Sequence, residues 1–248
     1  MTDIALQLYT VRDKTAVDMA GTIEELAAIG YKYVEPAGYG NLNAQDFAAA
    51  LKAHSLQAIS AHVGIDRLID ERQSVFEEMQ LLGCKHVIVP WLSPERRNVE
   101  FTDQLIGFLN AWGPEFRDAG MRLGYHNHEF EFEPMGNTTM FERLIAETDP
   151  ALVSLQIDLG WAAIAGADPV QLIRENAGRV PLLHAKDLGL DGSPITSGEG
   201  VLPWPEIIAA ARGAGTEYLI VENDQPEDSL EDVRRALANL EQLLAATS

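Results

Sequence analysis

The sequence predicts one domain folded as a closed (β/α)8 barrel, and three observations lead there. Apolar strand-like runs alternate with amphipathic helical runs along all 248 residues, the pattern of parallel strands joined by helical crossovers. The alternation completes eight units, which at this length fits a barrel better than an open doubly wound sheet. The turn after the first run, LQLYTVRD, also lacks the glycine-rich phosphate loop that such a sheet often carries. Finally, the chemistry sits at the ends of the strand runs and not at their beginnings. Those ends carry Tyr9, Glu35, His62, Trp91, His126 with His128, Asp158, His184 with Lys186, and Glu222. Barrels of this kind place their sites at the C-terminal ends of the strands.

Each element has its own justification. The first strand, Ile4 to Tyr9, puts Ile4, Leu6 and Leu8 on one face and Gln7 with Tyr9 on the other. A helix through Thr22 to Ile29 stops at Gly30, a C-terminal capping residue. The second strand, Tyr31 to Glu35, ends in VEPAGYG, where Pro36 and Gly38 turn the chain out. Asn43 caps a helix running to about His54. The third strand, Gln57 to Val63, has Ser60 and His62 on one face; a helix over Asp70 to Leu82 follows and meets Gly83. His86 to Trp91 is the fourth strand. Thr102 to Ala119 reads as a helix kinked or broken at Pro114, which can neither donate a backbone hydrogen bond nor avoid the preceding turn. RLGYHNHEFEF opens the fifth unit as an apolar strand and ends among His126 and His128, two apart and so on one face. Glu129, Glu131 and Glu133 beyond it read as a solvated edge, or one of them as reaching substrate. Helices over Thr138 to Thr148 and Asp168 to Ala177 follow strands five and six, the second capped by Asp168 with Pro169 in its first turn. Val180 to Lys186 and Glu217 to Glu222 are strands seven and eight. Helices at Pro205 to Gly213 and Glu227 to Ala246 complete the alternation.

Composition excludes several classes. A net charge of −20 opposes nucleic acid and anionic membrane surfaces. No apolar run approaches the roughly 20 residues of a spanning helix, and the N-terminus has no signal-peptide pattern, so the expectation is a soluble cytoplasmic protein. No Gly/Ser/Pro-rich linker divides the chain, so residues 1–248 read as one domain. Cys84 is the single cysteine and rules out an internal disulfide. His54 and His86 read as structural or exposed, Trp204 as packing a helix start, and Arg12 as either a surface charge or an anion contact.

Parity sharpens the site. Gln156 shares a face with Asp158, His184 with Lys186, and His126 with His128. The apolar faces must meet the helices, so these polar faces point into the barrel, where they cost stability unless a ligand, metal or water satisfies them. His126, Asp158, His184 and Glu222 offer two imidazoles and two carboxylates. The set suits one divalent ion, whether Mn²⁺, Mg²⁺, Co²⁺, Fe²⁺ or Zn²⁺. They lie 32, 26 and 38 residues apart, about one βα unit each.

LQIDLGW, LLHAKD with the later SGEGVLPW, and LIVEND resemble the C-terminal half of the xylose isomerase-like TIM-barrel superfamily of sugar isomerases and epimerases. GYKYVEPAG and SAHVG resemble its N-terminal half, so the likeness covers essentially the whole chain. The resemblance implies a divalent metal held on strands five to eight, usually by Glu, Asp, His and Glu; the matching positions are His126, Asp158, His184 and Glu222. The first is a departure, YHNH where relatives often read LENH. In the epimerases two metal-bound glutamates exchange the substrate proton, and of that pair only Glu222 remains. Histidine-rich fifth strands occur in relatives resembling inosose dehydratase and in keto-glycoside-cleaving lyases.

The expected protein is a metal-dependent sugar isomerase or epimerase acting on a small keto-sugar or polyol. Elimination by a lyase or dehydratase is the alternative, and a metal-free sugar-binding barrel a lesser one. Glu222 or His128 would move the proton and Lys186 would stabilise oxyanion charge or relay protons, while Glu35, His62, Trp91 and Tyr9 would contact substrate. A small-molecule partner is expected, a homo-oligomer is allowed, and neither nucleic acid nor membrane is.

Overall fold

The computed structural model describes residues 2–247. Its eight parallel strands are β1 (Asp3–Gln7), β2 (Tyr33–Glu35), β3 (Gln57–Ala58 and Ser60–His62, two pieces of one strand), β4 (His86–Val89), β5 (Arg122–His126), β6 (Val153–Asp158), β7 (Leu182–His184) and β8 (Tyr218–Val221). Each pairs with its sequence neighbours, and β8 returns to β1 with Asp3 opposite Tyr218. Closure falls at β3. Its first piece pairs with β2 and its second with β4. Between them, Ile59 N still donates to Val34 O at 3.1 Å, and beyond them His62 N donates to Pro36 O. The barrel is therefore closed, and the only antiparallel pairs among the described residues are two short hairpins outside it, at Pro134–Met135 with Thr138–Thr139 and at Asp187–Leu188 with Pro194–Ile195.

The crossover helices are α1 (Met19–Ile29), α2 (Ala44–Ala53), α3 (Arg72–Leu82), α4 (Val99–Asp118), α5 (Met140–Glu147), α6 (Pro169–Glu175), α7 (Trp204–Ala214) and α8 (Ser229–Ala246). The expected caps form: Asn43 accepts from Asp46 N, Asp168 caps α6, and Gly30 and Gly83 end α1 and α3 with φ of 123° and 65°. The break expected at Pro114 does not occur, and α4 runs unbroken through it. Leu105, Leu109, Trp112 and Phe116 are buried on both sides of the proline, so packing keeps both halves helical.

Two apolar shells fill the space between barrel and helices. Inside the barrel the side chains stack in layers. The bottom is apolar: Ala5, Ile59, Ile88, Leu182 and Ile220, under Tyr33 and Tyr218. His86 is buried at this end, and burial pushes its imidazole down to about 4. Gly124 also belongs here, since a Cβ at this position would lie 2.5 Å from Ser154 Oγ and 2.6 Å from Ile88 Cδ1. Further along every strand but β4 the layer turns polar, with Gln7, Glu35, His62, His126, Gln156 or Asp158, His184 and Glu222.

Candidate active site

The polar layers form two tiers. Glu35 lies at the centre of the lower one, wholly buried. Its Oε1 accepts from Gln7 Nε2 at 2.8 Å and from His184 Nε2 at 2.6 Å, and lies 3.2 Å from His62 Nε2. Its Oε2 accepts from Gln156 Nε2 at 2.7 Å. The Gln156 carbonyl in turn meets His62 Nε2 at 2.7 Å and His126 Nδ1 at 3.1 Å. Burial alone would raise the Glu35 carboxyl, but the imidazoles of His62 and His184 hold it down at about 2. Glu35, expected to contact substrate, is thus placed behind His184, under the cavity.

The upper tier gathers the strand ends. Ligand atoms of His126, Asp158, His184 and Glu222 all lie within 4.8 Å of one another. Glu222 Oε2 is 2.8 Å from His184 Nδ1. Lys186, almost fully buried, brings its ammonium to 3.1 Å from Asp158 Oδ2, 3.1 Å from Glu222 Oε2 and 2.7 Å from Asp224 Oδ2, over the ring of Trp161. Gly160 makes room for it, because a Cβ there would meet Lys186 Cγ at 2.7 Å. Burial alone would neutralise this lysine, yet Asp158, Glu222 and Asp224 raise it above its ordinary value. Burial would also lower His184, and the carboxylates of Glu222 and Glu35 on its two sides instead raise it to about 10. Glu222 is held well below the usual carboxylate range by Lys186 and His184 against its burial, while burial carries Asp158 upward.

The arrangement fits a divalent ion. Bonds of about 2.1 Å put the ligands of one ion roughly 3–4 Å apart, within the spread observed. His184 Nε2 is committed to Glu35 and His126 Nδ1 to Gln156, which leaves the other nitrogen of each ring for the cluster. Asp158 spends Oδ1 on Trp161 N, while its buried Oδ2 faces the Lys186 ammonium at 3.1 Å and points into the cluster. Asn127 ties the Asp158 backbone to the fifth strand by accepting from Asp158 N at 3.0 Å.

Above this cluster opens a cavity of about 480 Å³, lined on one side by His126, His128, Glu222 and Asp224. His128 stands just past the end of β5, between the rings of Phe130 and Trp161, and its Nδ1 has no hydrogen-bond partner. Burial and the nearby Lys186 hold this imidazole down at about 3, so it is neutral. Tyr9 and Trp91, from just past the ends of β1 and β4, also line it and are half-exposed. Tyr9 is not on β1 as expected. Strand pairing ends at Gln7, and a 3-10 turn over Leu8–Val11 swings Tyr9 outward.

Three further features depart from the sequence reading. Glu131 is not a solvated edge: it is fully buried, accepts from Tyr125 Oη and His128 N at 2.7 Å each, and is raised by burial to about 8. The 3-10 turn Phe130–Phe132 turns it inward, and no alternation rule reveals that. Asp224 was missed, although it follows Glu222 by two in LIVEND and so shares the strand-end spacing. Asp187 was missed as well. It accepts from Leu188 N, Gly198 N, Gly200 N, Leu202 N and Trp204 Nε1, knotting the SGEGVLPW excursion beside Lys186. A Cβ on Gly200 would lie 2.3 Å from the Asp187 carboxylate. Trp204 packs the start of α7 as expected.

An inosose dehydratase from Geobacillus kaustophilus is 29% identical over 197 residues, which cover 68% of this chain and 62% of that protein's length. The crystal structure of a sugar phosphate isomerase/epimerase from Parabacteroides distasonis superposes with a TM-score of 0.84 at 24% identity, covering 99% of this chain and 95% of that one. The IOLI protein, crystallised with a zinc atom, superposes at 0.80 with 14% identity, covering 100% and 99%. These two structures share the fold. No helix of the described residues is long and apolar enough to cross a membrane. The family model of the xylose isomerase-like TIM barrel matches residues 23–243, and the chain belongs to that family.

Proposed function

We propose that this chain is a lyase of the dehydratase type, eliminating a β-hydroxyl from a small keto-sugar or a ketone derived from a polyol. The observation that carries the reading is the engagement of Glu222. Its Oε2 is 2.8 Å from His184 Nδ1 and 3.1 Å from Lys186 Nζ. With His126 at the other glutamate position, a proton swap between two free carboxylates has no support here. The pair that remains is a neutral imidazole and an ammonium-bound carboxylate. His128 lines the cavity and takes the proton from the carbon next to the carbonyl. The C–H electron pair forms the new C=C bond, and the C–O bond to the leaving hydroxyl breaks. That oxygen receives a proton from the Lys186–Asp224 pair and departs as water. A divalent ion bound by His126, Asp158, His184 and Glu222 would polarise the substrate oxygens as a Lewis acid. The similarity to a protein named inosose dehydratase supports the same reading.

One observation favours a second reading, the isomerase or epimerase preferred from the sequence: Glu222 and His128 both line the cavity, so two proton-accepting groups do face it. A panel of inososes, keto-sugars and 3-keto-glycosides, incubated with Mn²⁺ in D₂O and followed by NMR, separates the two. Loss of the β-oxygen with formation of an unsaturated or rearranged ketone is the expected result. Deuterium entry with recovery of an epimer and no elimination would replace the lyase reading with the epimerase one.

A further inference from the structure

The cavity has two unlike walls. The wall from β5 and β8 carries His126, His128, Glu222 and Asp224. The wall from β1 to β4 carries Tyr9, Ala37, Gly64, Pro90 and Trp91, with His62 at its foot and no charged group. On that second wall Trp91 is 47% exposed and Tyr9 46%. Each is backed by a cation: the Arg97 guanidinium lies 5.3 Å from the Trp91 ring centre, and that of Arg12 4.3 Å from the Tyr9 ring. Both arginines are themselves tied down, Arg12 to the carbonyls of Tyr9 and Asp224 and Arg97 to that of Leu92 and over the Phe130 ring.

These facts bear on what fills the space. A hydroxyl-rich ring lodged among the imidazoles and carboxylates finds donors and acceptors on every side. The same ring meeting the aromatic wall with its hydroxyls would strip water from them with few partners in return, a net cost. A group with an apolar face gains there by covering two exposed aromatic surfaces. A cavity of about 480 Å³ also has the size of pockets that hold drug-sized ligands, larger than a lone sugar ring needs. We infer that the Tyr9–Trp91 wall is a second subsite, for a ring substituent carried by the sugar: a phenyl-like aglycone or the apolar face of a second pyranose. The inference rests on the sugar reading of the polar wall and adds the substrate's other half. The two arginines hold the aromatic rings in place, so the subsite is preorganised.

The test is ligand binding to the purified protein, followed by NMR titration and read without turnover. Three probes are compared: methyl β-D-glucopyranoside, phenyl β-D-glucopyranoside and cellobiose. The ringed probes are expected to bind several-fold more tightly than the methyl glucoside, up to about tenfold. The advantage should disappear in Trp91→Ala and persist in Trp91→Phe, which keeps a ring. Trp91 is half-exposed, so both variants are expected to fold, and thermal unfolding checks it. If the methyl glucoside binds and the ringed probes gain nothing, the subsite is overturned and the sugar site stands. An advantage that survives Trp91→Ala and Tyr9→Ala overturns it equally. If none of the three probes binds, both the subsite and the sugar reading fall.

Discussion

At the scale of single residues, the site is a set of charges that satisfy one another. The Lys186 ammonium sits against Asp158, Glu222 and Asp224, and His184 lies between Glu222 and Glu35, at the floor of the cavity. Removing one member of such a buried set leaves the others uncompensated. Asp158→Asn and Glu222→Gln are therefore expected to lose most bound Mn²⁺ or Zn²⁺ after equilibrium dialysis, and unchanged metal content in both variants would disprove the proposed ligand set. Glu35→Gln acts one step further out. It keeps the shape but withdraws the carboxylate that orients His184, and metal affinity measured by chelator competition should fall about 10- to 100-fold. His128→Ala leaves the ligands in place. Solvent-deuterium exchange at the carbon next to the substrate carbonyl should drop by about 10²–10⁴-fold while metal content holds. Exchange that is undiminished would move the base role to Glu222.

At the scale of elements, the excursion between β7 and α7 depends on one carboxylate. Four backbone N–H groups and the Trp204 indole converge on Asp187. Asp187→Ala would strand those donors, several of them shielded from water, and is expected to destabilise the protein by at least about 2 kcal/mol in urea unfolding. Amide exchange should rise first over 188–202. The prediction fails if those amides stay as protected as in the parent. The same element shows why part of the site was hidden in the sequence. Alternation along a strand predicts which side chains point inward, and it did so for Gln156, Asp158, His184 and Lys186. It says nothing about a residue just past a strand end, where the backbone leaves the pleat. Tyr9, Glu131 and Asp187 all sit at such points, and each was misplaced or missed.

At the scale of the whole molecule, stability is tied to pH through a histidine far from the site. His86 is buried at the barrel bottom, its Nδ1 without a partner, and its pKa is lowered to about 4 by burial and by Arg122. The unfolded chain takes up this proton near pH 6.5, the folded one only near 4. The stability from keeping it neutral is therefore complete above 6.5, declines as pH falls below it, and is gone by about 4. His86→Gln should lessen the acid loss by up to about 3 kcal/mol in the difference between unfolding free energies at pH 7 and pH 4.5. An identical acid loss in parent and variant would exclude His86 as its source.

The sequence by itself determined the barrel, the number of its units, its helix caps and the strand ends at which chemistry collects. It could do so because those features follow from local periodicity: period two places side chains inside or outside, and caps need specific residues at specific steps. Only the tertiary structure decided what those inward groups do to one another. It put Glu35 beneath His184 instead of at the cavity, joined β2 to β6 through Gln156, set the Lys186 ammonium against carboxylates from β6 and from the end of β8, and kept α4 helical through Pro114. Each of these is a contact between segments far apart in the chain, fixed by closure of the barrel. A local pattern carries no information about such distances, and in a buried site it is the distances that set charge, protonation and the direction of the chemistry.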